Sequence, residues 1–301
     1  MFDLFKDKLN SYSISWLLEG SIKIFLLGLY DAIKLHKMLA FMLSSKVIRT
    51  RMYECLMANI VVLLSSVLIL DFIILPFLSE DVRSFFNGAY YVFYIYPIYG
   101  ISYILSAVWY IDIAEQAYLF SYSEPLPKIK SFQGFIRFGA DLIYRCFFIG
   151  CFSVQLFMFQ YIPHIGISLY FIHLCAFNAF ISFEYKWDLR KWTTEQKINY
   201  FEEHIFYLLG FGTPLTLIVS FCPKFIGLAI FAFLLPIYIM MSILSHPLSL
   251  YYNINYENLS MEDISRIKGY KKIPFKLPIF QFAFFFNSKL LQLFYFLFQR
   301  Q

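Results

Sequence analysis

Residues 204–244 read HIFYLLGFGTPLTLIVSFCPKFIGLAIFAFLLPIYIMMSIL, and Lys224 is the only Lys, Arg, Asp or Glu among them. A spanning helix needs about 20 mainly apolar residues at about 1.5 Å each. Two such runs, 204–222 and 224–244, meet at Pro223 with hardly any loop. That spacing predicts a tight helical hairpin in an apolar medium. The hairpin either crosses a bilayer and returns or dips partway into it.

Working outward, residues 146–162 and 164–183 form a second hairpin of the same kind at Pro163, and 56–78 and 87–110 are longer single runs. Hydrophobic residues make up 60% of the 301 and charged residues 15%. A soluble domain needs about 25% charged residues to cover its surface. The expected fold is therefore an all-α polytopic membrane protein of about six hydrophobic helical segments. Two are clear spans, and the other four form hairpins that are re-entrant or complete. The lipid bilayer is the partner this composition demands. The chain divides into an N-terminal interfacial region at 1–55, a membrane domain at 56–245 and a tail at 246–301.

Charge sets the orientation. Of the 25 Lys and Arg residues, 23 fall in 1–55, 111–145, 184–203 and 246–301, and the alternate connections hold only Arg83 and Lys224. Basic residues concentrate on the cytosolic side of membrane proteins, so both termini and both polar loops are expected there. The start, MFDLFKDKLNSYSISW, carries Asp3 and Asp7 beside Lys6 and Lys8 and does not read as a signal peptide. Residues 14–43 mix apolar residues with Glu19, Lys23, Asp31, Lys34 and Lys37, which reads as an amphipathic interfacial helix. The Phe-rich stretch 275–299 reads the same way. Segments 121–130 and 252–272 read as an extended loop and a polar linker.

Few residues invite chemistry. Asp71 is the one acid deep within a run. It costs about 2.5–3.5 kcal/mol at a helix centre, so it faces protein or water, as a relay group or a structural hydrogen-bond partner. Gly210, Gly212 and Pro214, with Pro97 and Pro236, either break helices around a substrate site or allow close packing. In SFEYKWDLRKW, charged Glu184, Lys186, Asp188, Arg190 and Lys191 surround Trp187 and Trp192, the pattern of an interfacial anchor. Asp112 and Glu115 are three apart and share a helix face. Surface or capping roles suit them better than acid–base catalysis or metal binding.

The five cysteines form no Cys-x-x-Cys pair, and the five histidines are scattered. No metal, cofactor or catalytic constellation is expected, and the thin basic clusters exclude nucleic acid as a partner. The odd cysteine count speaks for buried thiols. An oligomer is compatible with all of this.

Four blocks carry a resemblance: AVWYIDIAEQAY (107–118), SFEYKW (182–187), YLLGFGTPL (207–215) and FLLPIYI (233–239). In this order and spacing they resemble the etoposide-induced protein 2.4 family of endoplasmic reticulum membrane proteins. The motif residues are Trp109, Asp112, Ala114, Phe183, Glu184, Tyr185, Trp187, Gly210, Gly212, Pro214 and Pro236. The resemblance implies a non-enzymatic role in autophagy, in the maturation of autophagic structures, and in growth suppression or apoptosis, with membrane proteins of those processes as partners. The family is distantly similar to bacterial sulfate permeases, in which a glycine, a hydrophobic residue and an arginine form the anion site. The matching stretch SKVIRTRMYE keeps Arg49 and Arg51 but has Val47 and Ile48 where glycine is expected. The alternative the resemblance implies is a small-anion channel, with Arg49 and Arg51 as anion-attracting or topology-determining residues.

Overall fold

The structure is a computed structural model that describes residues 14–68, 73, 75–77, 79, 93, 96–122, 150–159, 161–222, 224–245, 247 and 289. Among these residues there is no strand. The helices are α1 (Ile14–Ile33), α2 (Leu35–Ser44), α3 (Lys46–Leu68), α4 (Tyr96–Tyr122), α5 (Gly150–Phe159), α6 (Gly166–Leu189), α7 (Thr194–Glu203), α8 (Ile205–Ser220) and α9 (Lys224–Leu244). One of them, α6, is both long and apolar enough to cross a membrane, and α5, α8 and the 229–244 part of α9 are shorter apolar helices. Asp71, the 123–130 part of the extended loop, the 252–272 linker and the Phe-rich tail lie outside the described residues, apart from Lys289.

Both hairpins appear as helix pairs: α5 and α6 around Pro163, α8 and α9 around Pro223. Element ends differ from the apolar runs. Residues 56–68 of the first long run belong to a helix that begins at Lys46, with a separate 3-10 turn at Leu75–Phe77, and residues 96–110 of the second belong to a helix that continues to Tyr122. Hydropathy marks where apolar composition stops. A helix continues past that point where ion pairs hold its polar turns, as Arg51 does with Glu54 and Asp112. The single helix expected over 14–43 is two, because the chain turns at Lys34 (φ −70°, ψ 51°) before α2 begins.

Two glycines of α8 set the core. A methyl group added at Gly210 would collide with the Phe25 carbonyl on α1, and one at Gly28 would collide with the Tyr207 carbonyl on α8. The two helices thus cross backbone to backbone, the reciprocal glycine pair removing the side chains that would separate them. Gly212 makes the same approach to the Cys175 carbonyl on α6. Two residues apart, the glycines point to different sides of α8, which is held between α1 and α6. Pro214 lies inside α8 and Pro236 inside α9 without ending either helix, while Pro97 sits in the first turn of α4, where no intrahelical N–H is lost. Gly210 and Gly212 therefore serve packing, and neither Pro214 nor Pro236 exposes a helix terminus, whereas Pro97 is exposed at the start of α4.

Polar pairs bind the helices further. Asn59 donates to the Cys55 carbonyl at 2.8 Å and accepts from Ser102 of α4 at 2.9 Å. Asn178 of α6 donates to Thr216 of α8 at 2.8 Å. The buried amide of Asn59, with both ends used, favours a specific register rather than a generic apolar contact.

Candidate functional site

The pairings place the ends of several helices together. Tyr207 at the start of α8 meets Asp31 at the end of α1, and Lys186 near the end of α6 meets the end of α9. Tyr122, the last residue of α4, meets Ile243. Arg51, early in α3, meets Asp112 in the second half of α4. Asp31, Lys34, Arg51, Asp112 and Lys186 thus lie toward one end of the bundle, while Glu19 and Lys23 pair further back along α1 and Lys224 starts α9 at the other end.

Lys186 is the centre of this end. It is buried, and its Nζ donates to the carbonyls of Ser242 and Ile243 at 3.2 Å each and to that of Ser245. The last carbonyls of a helix lack intrahelical partners and carry the negative end of its dipole. An ammonium borrowed from α6 therefore caps α9. The Tyr122 hydroxyl donates to the Ile243 carbonyl at 3.3 Å, and Ser242 Oγ donates to Ser182 O at 2.7 Å. The Tyr122 and Phe183 rings each lie 5.9 Å from the ammonium. On the neighbouring side the Tyr207 hydroxyl donates to Asp31 Oδ2 at 2.7 Å, and Lys34 pairs with Asp31 Oδ1 at 2.6 Å.

The segment SFEYKWDLRKW departs from the expected interfacial collar. It is helical to Leu189, and Phe183, Glu184, Tyr185, Lys186 and Trp187 are buried against protein. Trp187 stacks on Trp192 at 6.1 Å and meets Tyr200 edge-on at 5.7 Å. This packing follows from α7 folding back on α6. The Lys191 residue at the turn takes φ 57°, and its amide donates to Asp188 O at 2.9 Å. Thr193 and Gln196 then start α7 with a reciprocal cap: Gln196 N–H donates to Thr193 Oγ1 at 3.3 Å, and Thr193 N–H donates to Gln196 Oε1 at 2.8 Å. Lys197 of α7 pairs with Asp188 and stands 3.8 Å from Glu184, so two acids of α6 face one base of α7.

The arginines of SKVIRTRMYE have separate partners. Arg49 donates to the carbonyls of Met42 at 3.3 Å and Leu43 at 2.7 Å, at the end of α2. Arg51 pairs with Glu54 at 2.7 Å and with Asp112 at 2.8 Å. Glu115, one turn beyond Asp112, is partly buried, and burial with the nearby Asp112 charge raises its carboxyl above the usual range. Of the other motif residues, Ala114 is buried and Trp109 partly so, and Tyr185 meets Tyr110 of α4 edge-on at 6.1 Å. Among the described residues no three of His, Cys, Asp and Glu gather closely enough to hold a metal ion.

The site therefore brings Phe183, Glu184, Tyr185, Trp187 and Asp112 to the same end but leaves Gly210, Gly212, Pro214 and Pro236 as packing residues along the helices. Reading the sequence missed the joint of Asp31, Tyr207 and Lys186. The available signal was a lone lysine between Tyr185 and Trp187, an expensive residue to bury without partners. Its chemistry is capping and ion pairing.

Among the described residues, an all-helical, apolar bundle with most of its buried polar contacts toward one end is the class these features define. The chain belongs to the sulfate transporter CysZ/etoposide-induced protein 2.4 family, whose profile matches residues 22–235. It is 31% identical over 232 residues to a protein EI24 homolog of Dictyostelium discoideum, covering 75% of each chain. It is 25% identical over 266 residues to a protein EI24 homolog of Arabidopsis thaliana, covering 74% of this chain and 83% of that one. Ectopic P granules protein 4 of Caenorhabditis elegans is 31% identical over 152 residues, 49% of this chain and 47% of that one. No solved structure matches the chain.

Proposed function

We propose that this protein is a multi-pass membrane protein of the endoplasmic reticulum that supports the maturation of autophagic structures without catalysing a reaction. The observation that carries the reading is family membership across residues 22–235. The similarity to ectopic P granules protein 4 points the same way. The placement of most ion pairs, those of Asp31, Arg51 and Lys197 among them, toward one end of a largely apolar bundle supports a membrane setting, since charges avoid the bilayer centre. The charged end faces the cytosol in this reading and presents α2 and α7 to membrane proteins of autophagy or apoptosis. Deleting the gene should leave autophagic structures that accumulate without maturing, measured as lost turnover of an autophagic cargo receptor. Normal flux after deletion overturns the role.

A second reading, a small-anion permease, has one observation in its favour: the family's description includes a sulfate transporter. The contacts of Arg49 and Arg51 weigh against it, because both guanidinium groups are engaged with carbonyls or carboxylates. Purified protein in liposomes should show no sulfate flux above empty vesicles. Flux that vanishes when both arginines become alanine would establish the permease instead.

A further inference from the structure

We propose that α2 and the first turn of α3 form a surface that binds the acidic headgroups of the bilayer in which the protein sits. The inference rests on the membrane reading above and narrows it to one element and one lipid chemistry.

The element is short. Ten residues at about 1.5 Å each span about 15 Å, half the hydrocarbon thickness, so α2 cannot cross. The chain turns at Lys34 before it and at Ser45 after it, where Ser45 is extended (φ −115°, ψ 118°). One side of α2 is docked: Met38 is buried, Phe41 and Met42 pack on the core, and Phe41 meets Phe120 of α4 edge-on at 5.5 Å. The adjacent side is unpartnered and apolar. Leu35, Leu39 and Leu43 are 46%, 53% and 76% exposed, and at four-residue spacing they form a single stripe. Three leucines in a row left to water would be an unusual cost for so small a helix.

Charge selects the occupant. From Asp31 to Glu54 there is no acidic residue, while Lys34, Lys37, Lys46, Arg49 and Arg51 lie between them. Lys34 and Arg51 are paired with acids. Lys37 and Lys46 are exposed, and their ammonium groups have no partner among the described residues. Arg49 meets only two carbonyls, so its charge is not neutralised. Lys37 stands on the side of α2 away from the leucine stripe and Lys46 on the turn that follows, so the apolar side fits an acyl boundary and the cations fit phosphate-bearing headgroups above it. By contrast, α1 is committed to α8 through Gly28, and its exposed Glu19 and Lys23 neutralise each other at 2.6 Å.

The test uses the full chain carrying Leu39→Trp, reconstituted in phosphatidylcholine vesicles that contain a minority of brominated lipid. Quenching of the added tryptophan over the Leu39 background reports which lipid lies beside α2. Brominated phosphatidylserine should quench about threefold more strongly than brominated phosphatidylcholine, roughly what two or three surface cations supply to local enrichment. Molar salt, which shortens the screening length, should erase the preference. So should Lys37→Gln with Lys46→Gln, two changes that remove no contact within the fold. Equal quenching by both lipids, or quenching by neither, overturns the proposal while leaving the membrane reading intact. Release of the chain from membranes by alkaline carbonate overturns both.

Discussion

Gly28 and Gly210 face each other where α1 crosses α8, and the lack of a side chain on either allows two backbones to touch. Gly210→Ala and Gly28→Ala should each destabilise the protein by about 1–3 kcal/mol or more, because the obstacle is a carbonyl that cannot rotate away. Thermal unfolding in detergent reads this out. Gly150→Ala, where an added methyl meets nothing within 4 Å, should cost nothing. Glu115 is a second residue-scale case. Burial and Asp112 raise its carboxyl, so the folded state prefers the protonated form and loses stability as pH climbs from the ordinary carboxylate range through the raised value. Glu115→Gln should therefore raise the melting temperature modestly at neutral pH and match the parent protein near about pH 4. A gain at both pH values would disprove the assignment. The glycines were legible as a motif in the sequence. Choosing between a broken helix and a tight crossing required the neighbours, since a glycine by itself permits both.

Arg51 and Asp112 join α3 to α4 at 2.8 Å with both side chains about one-third exposed. Swapping them, Arg51→Asp with Asp112→Arg, should recover most of the stability that either change alone loses. Each single loss is about 1 kcal/mol at such exposure. Lys186 acts on a whole element. Lys186→Met removes an ammonium from the Ser242, Ile243 and Ser245 carbonyls and should fray the last turn of α9. Hydrogen exchange of amides 241–245 should quicken while the middle of α9 stays protected. Unchanged exchange there would mean the cap is dispensable. At this scale the sequence identified most helices but not their ends. Helix α6 runs through SFEYKW to Leu189 because Glu184, Asp188 and Lys197 pair across the turn to α7. Local composition in that stretch looks like a loop, and only the returning helix makes its charges affordable.

Across the whole molecule, antiparallel pairing sets the ends of α1, α4, α6 and α9 beside the starts of α3 and α8. The expected topology can be mapped with an impermeant thiol reagent on sealed microsomes. Cysteines at Lys37 and Lys191 should react from the cytosolic side, and cysteines at Ile165 and Phe221, exposed at the opposite end, should not. The reverse pattern would invert the orientation, as would glycan on Asn258 of the Asn-Leu-Ser acceptor pattern at 258–260. Apolar runs of near-bilayer length, the placement of 23 of 25 basic residues and the four motif blocks were readable in the chain itself. They are statements about composition and spacing along one dimension, and they sufficed for an all-helical protein and its family. Which groups share the charged end, and that Gly210 and Gly212 pack while Lys186 caps a helix 56 residues away, were decided by the tertiary structure alone. A contact between distant segments depends on how helices cross, and nothing in the local sequence carries that information.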